Sequence, residues 1–349
     1  MRRNNQITGL ILAFLILGLA SHYAKGKIHA ISTKSTSIYC HTSEPNGLVY
    51  LNLRTGSKRW LHSIIINGMF TGPDGYLAVE GQQTIRIYQH GRYILGIPVI
   101  RGDIIGWLGR SIIYREDKLL TQSQKRKMGI KQNTVAFDGW NHYCYRINPL
   151  SGVKKFINLP SNVDAVGSLS NGWFEIMGGK HWTFLTLRSP SGKQLAAWRA
   201  YDDGNGCLIL DNRFLVIDMT SYIWIVDTQL KRERITRSYT PYPIFCSGNR
   251  YGELIIAKYI YKHHISNNSA SLNISATEIF SLDVRTFVQR LLFKLNGQYD
   301  PVGLAEGGSY LLLIRPYAAV GPGALVEIQM STHKVHTILP RVYECVISH

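Results

Sequence analysis

A strand–turn–strand pattern recurs along nearly the whole sequence, and it limits what the chain can fold into more than any other feature. Its clearest copy runs from Gly47 to Trp60, GLVYLNLRTGSKRW: an apolar strand, a polar strand end, a turn and a second strand. Asn52 stands where a short polar side chain can bond to the turn backbone, and Gly56 supplies the positive φ of a tight hairpin. Six weaker copies follow, beginning at Thr84, Tyr143, Thr183, Tyr222, Glu278 and Ala324. Aligned on the strand-end residues Asn52, Tyr88, Asn148, Arg188, Asp227, Asp283 and Gln329, the spacings are 36, 60, 40, 39, 56 and 46 residues.

These spacings bracket the period of about 40–50 residues found in propeller blades. Between successive hairpins lie two further short strands, for example DIIGWLG and SIIYRE, or GCLILD and RFLVIDM. Each repeat is therefore four short strands joined by turns, which is one blade. A single strand, Thr36 to His41, precedes the first hairpin, and a single strand, Val342 to Ser348, follows the last. The expected fold class is an all-β, seven-bladed β-propeller of four-stranded antiparallel blades over residues 34–349. Its ring closes when the carboxy-terminal strand joins the first blade and removes an open edge. That closure predicts Cys40 and Cys345 on neighbouring strands of one blade. A bridge there would lock the ring in an oxidising compartment. Disulfide geometry across adjacent strands is demanding, so two buried thiols are the favoured expectation for the pair.

Composition agrees with strands. Of 349 residues, 45% are hydrophobic, enough for a large core, and 20 tyrosines and 32 glycines favour strands and turns over helices. The five cysteines show no CxxC or metal-ligand spacing, so no metal site is expected. The formal net charge is +17. Such charge suits a polyanion (nucleic acid, anionic lipid, an acidic envelope polymer) or simply a solubilising surface. Its dispersal favours the solubilising surface, and specific nucleic-acid binding is not expected. One cluster, Lys125, Arg126, Lys127 and Lys131, marks a candidate basic binding loop within the long interval Lys118 to His142. The second long interval, Lys262 to Thr277, is rich in Ser and Asn and reads as a long loop, either a binding loop or a tolerated surface insertion.

The amino terminus has its own character. Arg2 and Arg3 precede the apolar run Ile7 to Ala20, and no charged residue lies between Arg3 and Lys25. This is the shape of a signal peptide over residues 1–27, or of an uncleaved membrane anchor. Either predicts an extracytoplasmic location, periplasmic, cell-surface or secreted.

The Gly47–Trp60 copy resembles the repeat of quinoprotein-like (PQQ-like) β-propellers. The matching residues are Val49, Tyr50, Leu51, Asn52, Thr55, Gly56 and Trp60. WD-repeat proteins are the neighbouring alternative, although their Gly-His and Trp-Asp pairs do not recur. The resemblance implies a fold and not a chemistry. Quinone-dependent members carry vicinal cysteines and an acidic calcium cluster, both missing here, so no cofactor is expected. No nucleophile elbow, His-Glu-x-x-His or phosphate-binding glycine loop is present. Asp202 and Asp203 read as a turn between blades, and His263 and His264 as neighbours pointing to opposite faces of a strand. Trp60 is expected to pack between sheets. No catalytic residue can be named. The expected role is a non-enzymatic scaffold or ligand-binding module for a protein or an envelope polymer, tethered to the membrane if the amino-terminal segment is uncleaved. The alternative is a propeller hydrolase or lyase acting on an envelope glycan or other polymer, with its site at the channel mouth.

Overall fold

The computed structural model describes residues 28–30, 37–118, 141–236, 245–248 and 253–348, with short gaps inside the longer spans. The apolar run Ile7–Ala20 and the basic cluster Lys125, Arg126, Lys127 and Lys131 lie outside the described residues. Among those described, no helix is long and apolar enough to cross a membrane.

The elements are strands, with one 3₁₀ turn at Pro73–Gly75. Strand β1 (Ile28–Ala30) stands apart. The first unit contains β2 (Ser37–Ser43), β3 (Asn46–Asn52) and β4 (Ser57–His62); the second β5 (Gly68–Thr71), β6 (Tyr76–Glu80), β7 (Thr84–Gln89) and β8 (Arg92–Pro98). The third contains β9 (Gly102–Leu108), β10 (Ser111–Lys118), β11 (Asn141–Ile147) and β12 (Lys154–Ile157); the fourth β13 (Val163–Leu169), β14 (Gly172–Gly179), β15 (Trp182–Arg188) and β16 (Gln194–Ala200). The fifth contains β17 (Gly204–Leu210), β18 (Phe214–Met219), β19 (Ile223–Asp227) and β20 (Arg232–Ile235); the sixth β21 (Phe245–Gly248), β22 (Glu253–Ser266), β23 (Ser269–Asp283) and β24 (Gln289–Asn296). The last contains β25 (Asp300–Ala305), β26 (Tyr310–Pro316), β27 (Gly323–Gln329) and β28 (Val335–Ser348).

Within each unit consecutive strands pair antiparallel. The turn chemistry read from the sequence is what joins them. Asn52 Oδ1 accepts the Thr55 amide at 3.1 Å, and Asn148 Oδ1 accepts those of Leu150 and Ser151 at 2.8 and 3.2 Å. Asp227 and Asp283 cap their turns in the same way. Gly56 sits at φ 66°.

The first unit takes its fourth strand from far along the chain. Residues 335–339 of β28 pair with β27, whereas residues 342–348 pair with β2, Val346 opposite Tyr39 and Ser348 opposite Ser37. This shared strand fuses the last and first units into one seven-stranded sheet. The third and fourth units fuse into an eight-stranded sheet through a short parallel pairing of β9 and β13, Gly106 with Val166 and Trp107 with Gly167. The hydrogen-bonded sheets therefore have 5, 8, 7, 4 and 4 strands, and units and sheets do not correspond one to one.

Inner strands are buried on both faces, as sheets stacked face to face require. Every residue of β6, Tyr76–Glu80, is buried. Phe174, Leu185, Ile209, Ile217 and Trp224 form one core between the fourth and fifth units. Leu210, Val216, Ile225, Leu254 and Ile256 form another between the fifth and sixth. Each such side chain contributes about 1.5–3 kcal/mol through burial. Outer strands face solvent: all four residues of β20 are exposed.

Two expectations are corrected here. Trp60 does not pack between sheets: it lies on the outer strand β4 and is 38% exposed. The Lys262–Thr277 interval is not a loop. It extends the β22–β23 hairpin, with ladder pairs continuing to Ser266 opposite Ser269 and an irregularity between Ile260 and Tyr261. Ladder hydrogen bonds belong to the backbone, so a hairpin projecting beyond a core can be polar and still be paired.

Candidate functional site

The two cysteines singled out from the sequence are direct partners in the register of β2 and β28. A disulfide joins Cys40 to Cys345 across a Cα separation of 4.2 Å, spanning 305 residues of sequence. The short separation is that of a narrow antiparallel pair, where side chains approach most closely. This is why strand neighbours that seemed a demanding place for a bridge accommodate one. Cys144 and Cys207 are buried free thiols; burial pushes Cys144 up to about 11 and Cys207 higher still. Neither is poised as a nucleophile, which needs a depressed thiol pKa.

The remaining sequence candidates do not assemble. Asp202 lies in the bend before β17, where its carbonyl accepts the Thr183 hydroxyl at 2.9 Å. His263 and His264 fall on β22. Among the described residues, no three His, Cys, Asp or Glu side chains converge as a metal site would require. β1 pairs in parallel with β17, Ile28 with Cys207 and Ala30 with Ile209, and it also lies beside β5 and β13. The backbone of Ile28–Ala30 therefore sits among the first strands of three units.

Polar side chains brace the boundaries between units. Arg110 pairs with Asp74 at 2.6 Å between the second and third. Arg285 pairs with Asp211 between the fifth and sixth. Between the sixth and last, the Tyr259 hydroxyl donates to Asp300, which also accepts the Gln298 amide at 3.2 Å. Between the third and fourth, Arg115 reaches Asp103 at 3.2 Å, Asp164 at 3.1 Å and the Val163 carbonyl at 2.9 Å. Burial opposes the Arg115 charge, but Asp164 and Asp103 outweigh it and hold the guanidinium protonated.

The boundary of the first and second units differs. Near the β7–β8 turn the Gly91 amide donates to the Tyr39 hydroxyl at 2.6 Å and Arg59 donates to the Gly91 carbonyl, and a bond between Tyr88 and His62 adds a second brace. Gly91 is required there: its φ is 73°, and a Cβ would stand 2.6–2.7 Å from Arg59 and Tyr50. Toward the other end of the strands the boundary opens into a cleft of about 180 Å³. Its polar lining is Ser63, Gln82, Gln83, Thr84 and Arg86, with Ile65 at its side. Among the described residues, none that lines the cleft is acidic. Arg86 Nη1 is fully buried and has no hydrogen-bond acceptor.

Local sequence explains the arrangement. In β7 the residues Ile85 and Ile87 pack toward the third unit, so Thr84, Arg86 and Tyr88 face the first. Opposite Arg86 on β8 stands Gly96, which leaves room for the Tyr93 ring, whose hydroxyl would lie 2.9 Å from a Cβ there. Next along, the Tyr88 hydroxyl is 3.0 Å from His62 Nδ1. Burial, then the Arg86 charge, push the His62 imidazole below its usual range; burial pushes the Tyr88 phenol up to about 12. With the imidazole neutral, its tautomer sets the direction of that bond: Nδ1 accepts from the Tyr88 hydroxyl when the ring proton is on Nε2. Sequence reasoning passed over this cleft. The signal it could have used was a lone arginine at position 86 in a strand whose other residues suit burial on both faces.

No protein-family model matches the sequence, and no curated protein matches it. Solved structures do. A functionally unknown protein from Desulfotomaculum acetoxidans is similar with a TM-score of 0.55 at 9% identity, covering 90% of this chain and 99% of the other. Hydrazine synthase from Kuenenia stuttgartiensis is similar with a TM-score of 0.52 at 10% identity, covering 91% and 96%. Sqt1 from Saccharomyces cerevisiae follows at 0.49 and 8%, covering 90% and 86%. The neighbours include β-propeller and WD-like folds, so the chain has an all-β, propeller-like fold. At such identities the likeness concerns fold alone.

Proposed function

We propose that this chain is an exported, non-enzymatic, seven-bladed propeller that serves as a rigid scaffold or protein-binding module. Each four-strand unit is a blade, and the ring is completed where residues 342–348 of β28 join β2. We read its repeat as quinoprotein-like on the residues Val49, Tyr50, Leu51, Asn52, Thr55, Gly56 and Trp60. The observation that carries the reading is the Cys40–Cys345 disulfide at that junction. Disulfides persist in oxidising compartments and are rare where thiols are kept reduced, so this bond and the apolar amino-terminal run support the same location outside the cytoplasm. Rigid stacked sheets present their connecting loops to a partner, the usual division of labour between scaffold and recognition. An acidic envelope polymer is a further partner class suited by the +17 charge.

The test has two arms. Fractionation of cells producing the full-length chain, with non-reducing peptide mapping, is expected to find an extracytoplasmic protein with Cys40 linked to Cys345. A cytoplasmic protein with both thiols free sinks the export reading. Electron-microscopy class averages are expected to show a ring of seven lobes, and six or eight lobes overturn the blade count.

A further inference from the structure

Arg86 presents a physical problem that the scaffold reading does not address. A guanidinium cannot shed its proton at any ordinary pH. A buried charge without a partner is costly, which is why buried charges are almost always paired. Arg86 is partly buried, yet its Nη1 is fully buried with no acceptor, and the side chains that feel its charge, His62 and Tyr88, offer no negative partner: burial and then Arg86 lower the His62 titration, and burial raises that of Tyr88. The cleft beside it is lined by further hydrogen-bonding groups, the hydroxyls of Ser63 and Thr84 and the amides of Gln82 and Gln83, and, among the described residues, by no carboxylate. The β6–β7 turn that carries the glutamines is fixed by its own hydrogen bonds, from the Gly81 amide to the Thr84 carbonyl at 2.9 Å and from the Val99 amide to the Gln83 carbonyl at 3.1 Å. The backbone that carries these side chains is therefore fixed before anything binds, which reduces part of the ordering cost of binding.

From this geometry we infer that the cleft between the first and second units binds a phosphate group, with Arg86 as its charged anchor. The choice among anions follows from the donors. A carboxylate has two oxygens, which one arginine fork satisfies alone. Here the fork is accompanied by hydroxyl and amide groups on two other segments, Ser63 after β4 and Gln82–Thr84 at the β6–β7 turn. A tetrahedral oxyanion presents oxygens in enough directions to engage both segments and the arginine together. Ile65, 55% exposed at the cleft side, offers an apolar contact for whatever the phosphate is esterified to. The site is independent of ring closure and of cellular location. It also differs from diffuse attraction to the net charge, because it requires one particular residue.

His62 supplies a reporter that does not depend on knowing the natural ligand. Its ring faces Tyr88 and Tyr93 at centroid distances of 5.7 and 5.1 Å, and burial, then the Arg86 charge, depress its titration. A dianion seated on Arg86 offsets that charge, so the His62 midpoint rises when the site fills. The experiment titrates the full-length chain with inorganic phosphate, glycerol phosphate and acetate, up to about 10 mM at constant ionic strength, a range suited to millimolar affinity. It follows the His62 ring protons by NMR. The expected result is saturable binding of phosphate with an upward His62 midpoint, and no saturation by acetate. Arg86→Gln is expected to weaken phosphate binding about ten- to hundredfold, the worth of a charged hydrogen-bonding anchor. Tighter binding of glycerol phosphate than of inorganic phosphate identifies an ester as the ligand; equal binding identifies the free ion. Absence of saturation by either phosphate, or equal saturation by acetate, overturns the inference. Should Arg86→Gln not fold, the ligand series on the unaltered chain still decides.

Discussion

Two boundaries between neighbouring units partly bury an arginine and treat it differently. At the third–fourth boundary the first strands β9 and β13 are hydrogen-bonded to each other, and Arg115 spends its fork on Asp103, Asp164 and the Val163 carbonyl, with only its Nε left over. At the first–second boundary a cleft opens, and Arg86 has nothing to hold. The third case, Asp218, shows what a buried group can do when it has the option. Its Oδ1 has no partner either, and burial pushes its carboxyl well above the usual range, which favours the protonated form. A carboxyl can become neutral and an arginine cannot. Arg115 is thus a strut, Asp218 a neutralised acid, and Arg86 a charge left for something outside the chain.

The sharpest way to break this contrast is to remove each arginine's charge. Arg115→Met takes a charged partner from two carboxylates and a carbonyl, and it is expected to cost about 2–3 kcal/mol in denaturant unfolding, below the range for a fully buried pair because Asp164 is half-exposed and keeps the Gly178 amide. Arg86→Met strands nothing and is expected to leave the midpoint unchanged or raised in phosphate-free buffer. Equal losses in the two variants would erase the distinction between strut and vacant anchor.

A smaller effect tests the acid. A raised folded pKa means that the Asp218 contribution to stability is fully present below the unfolded carboxyl value of about 3.9 and is lost as pH rises toward the folded value. Asp218→Asn removes that loss. It is expected to stabilise the protein by about 1–2 kcal/mol at neutral pH, with the gain vanishing near pH 3. A gain independent of pH would show that charge was not the cause. The smallest effect is spectroscopic. His62 has a lowered folded pKa, so its contribution is present above about 6.5 and is lost as pH falls through the folded value. In Arg86→Gln, without any anion, the His62 ring-proton midpoint is expected to move upward, back toward the ordinary imidazole value. A midpoint that stays put would mean that burial alone depresses it.

The parts of this molecule that were legible in the sequence are those written locally. Asn52, Asn148, Asp227 and Asp283 end strands with the same side-chain cap, and a cap is a matter of two or three residues. The pairing of β28 with β2 was legible by another route: one strand was missing at the start and one was spare at the end. What was not legible depends on distance. The cleft draws Ser63, Gln82 and Arg86 from three segments and leaves no motif. The β22–β23 hairpin was misread because polar composition signals a loop only where the backbone has no partner. Trp60 was misplaced because a repeat motif gives the residue's position in the hairpin, and burial depends on which strand faces solvent.

The shared strand has a consequence for how the protein comes to be folded. β2 and β3 can pair as soon as they are made, but the edge of β2 that receives residues 342–348 stays bare until some 305 further residues have been added. Contacts of such sequence separation are slow to form, and an open strand edge in the meantime is a template for pairing with another chain. Docking of that strand in register holds Cys40 and Cys345 together, so their oxidation is favoured once folding is complete. A substitution that weakens residues 342–348 is therefore expected to show itself first as aggregation during production, before any loss in the stability of molecules that have finished.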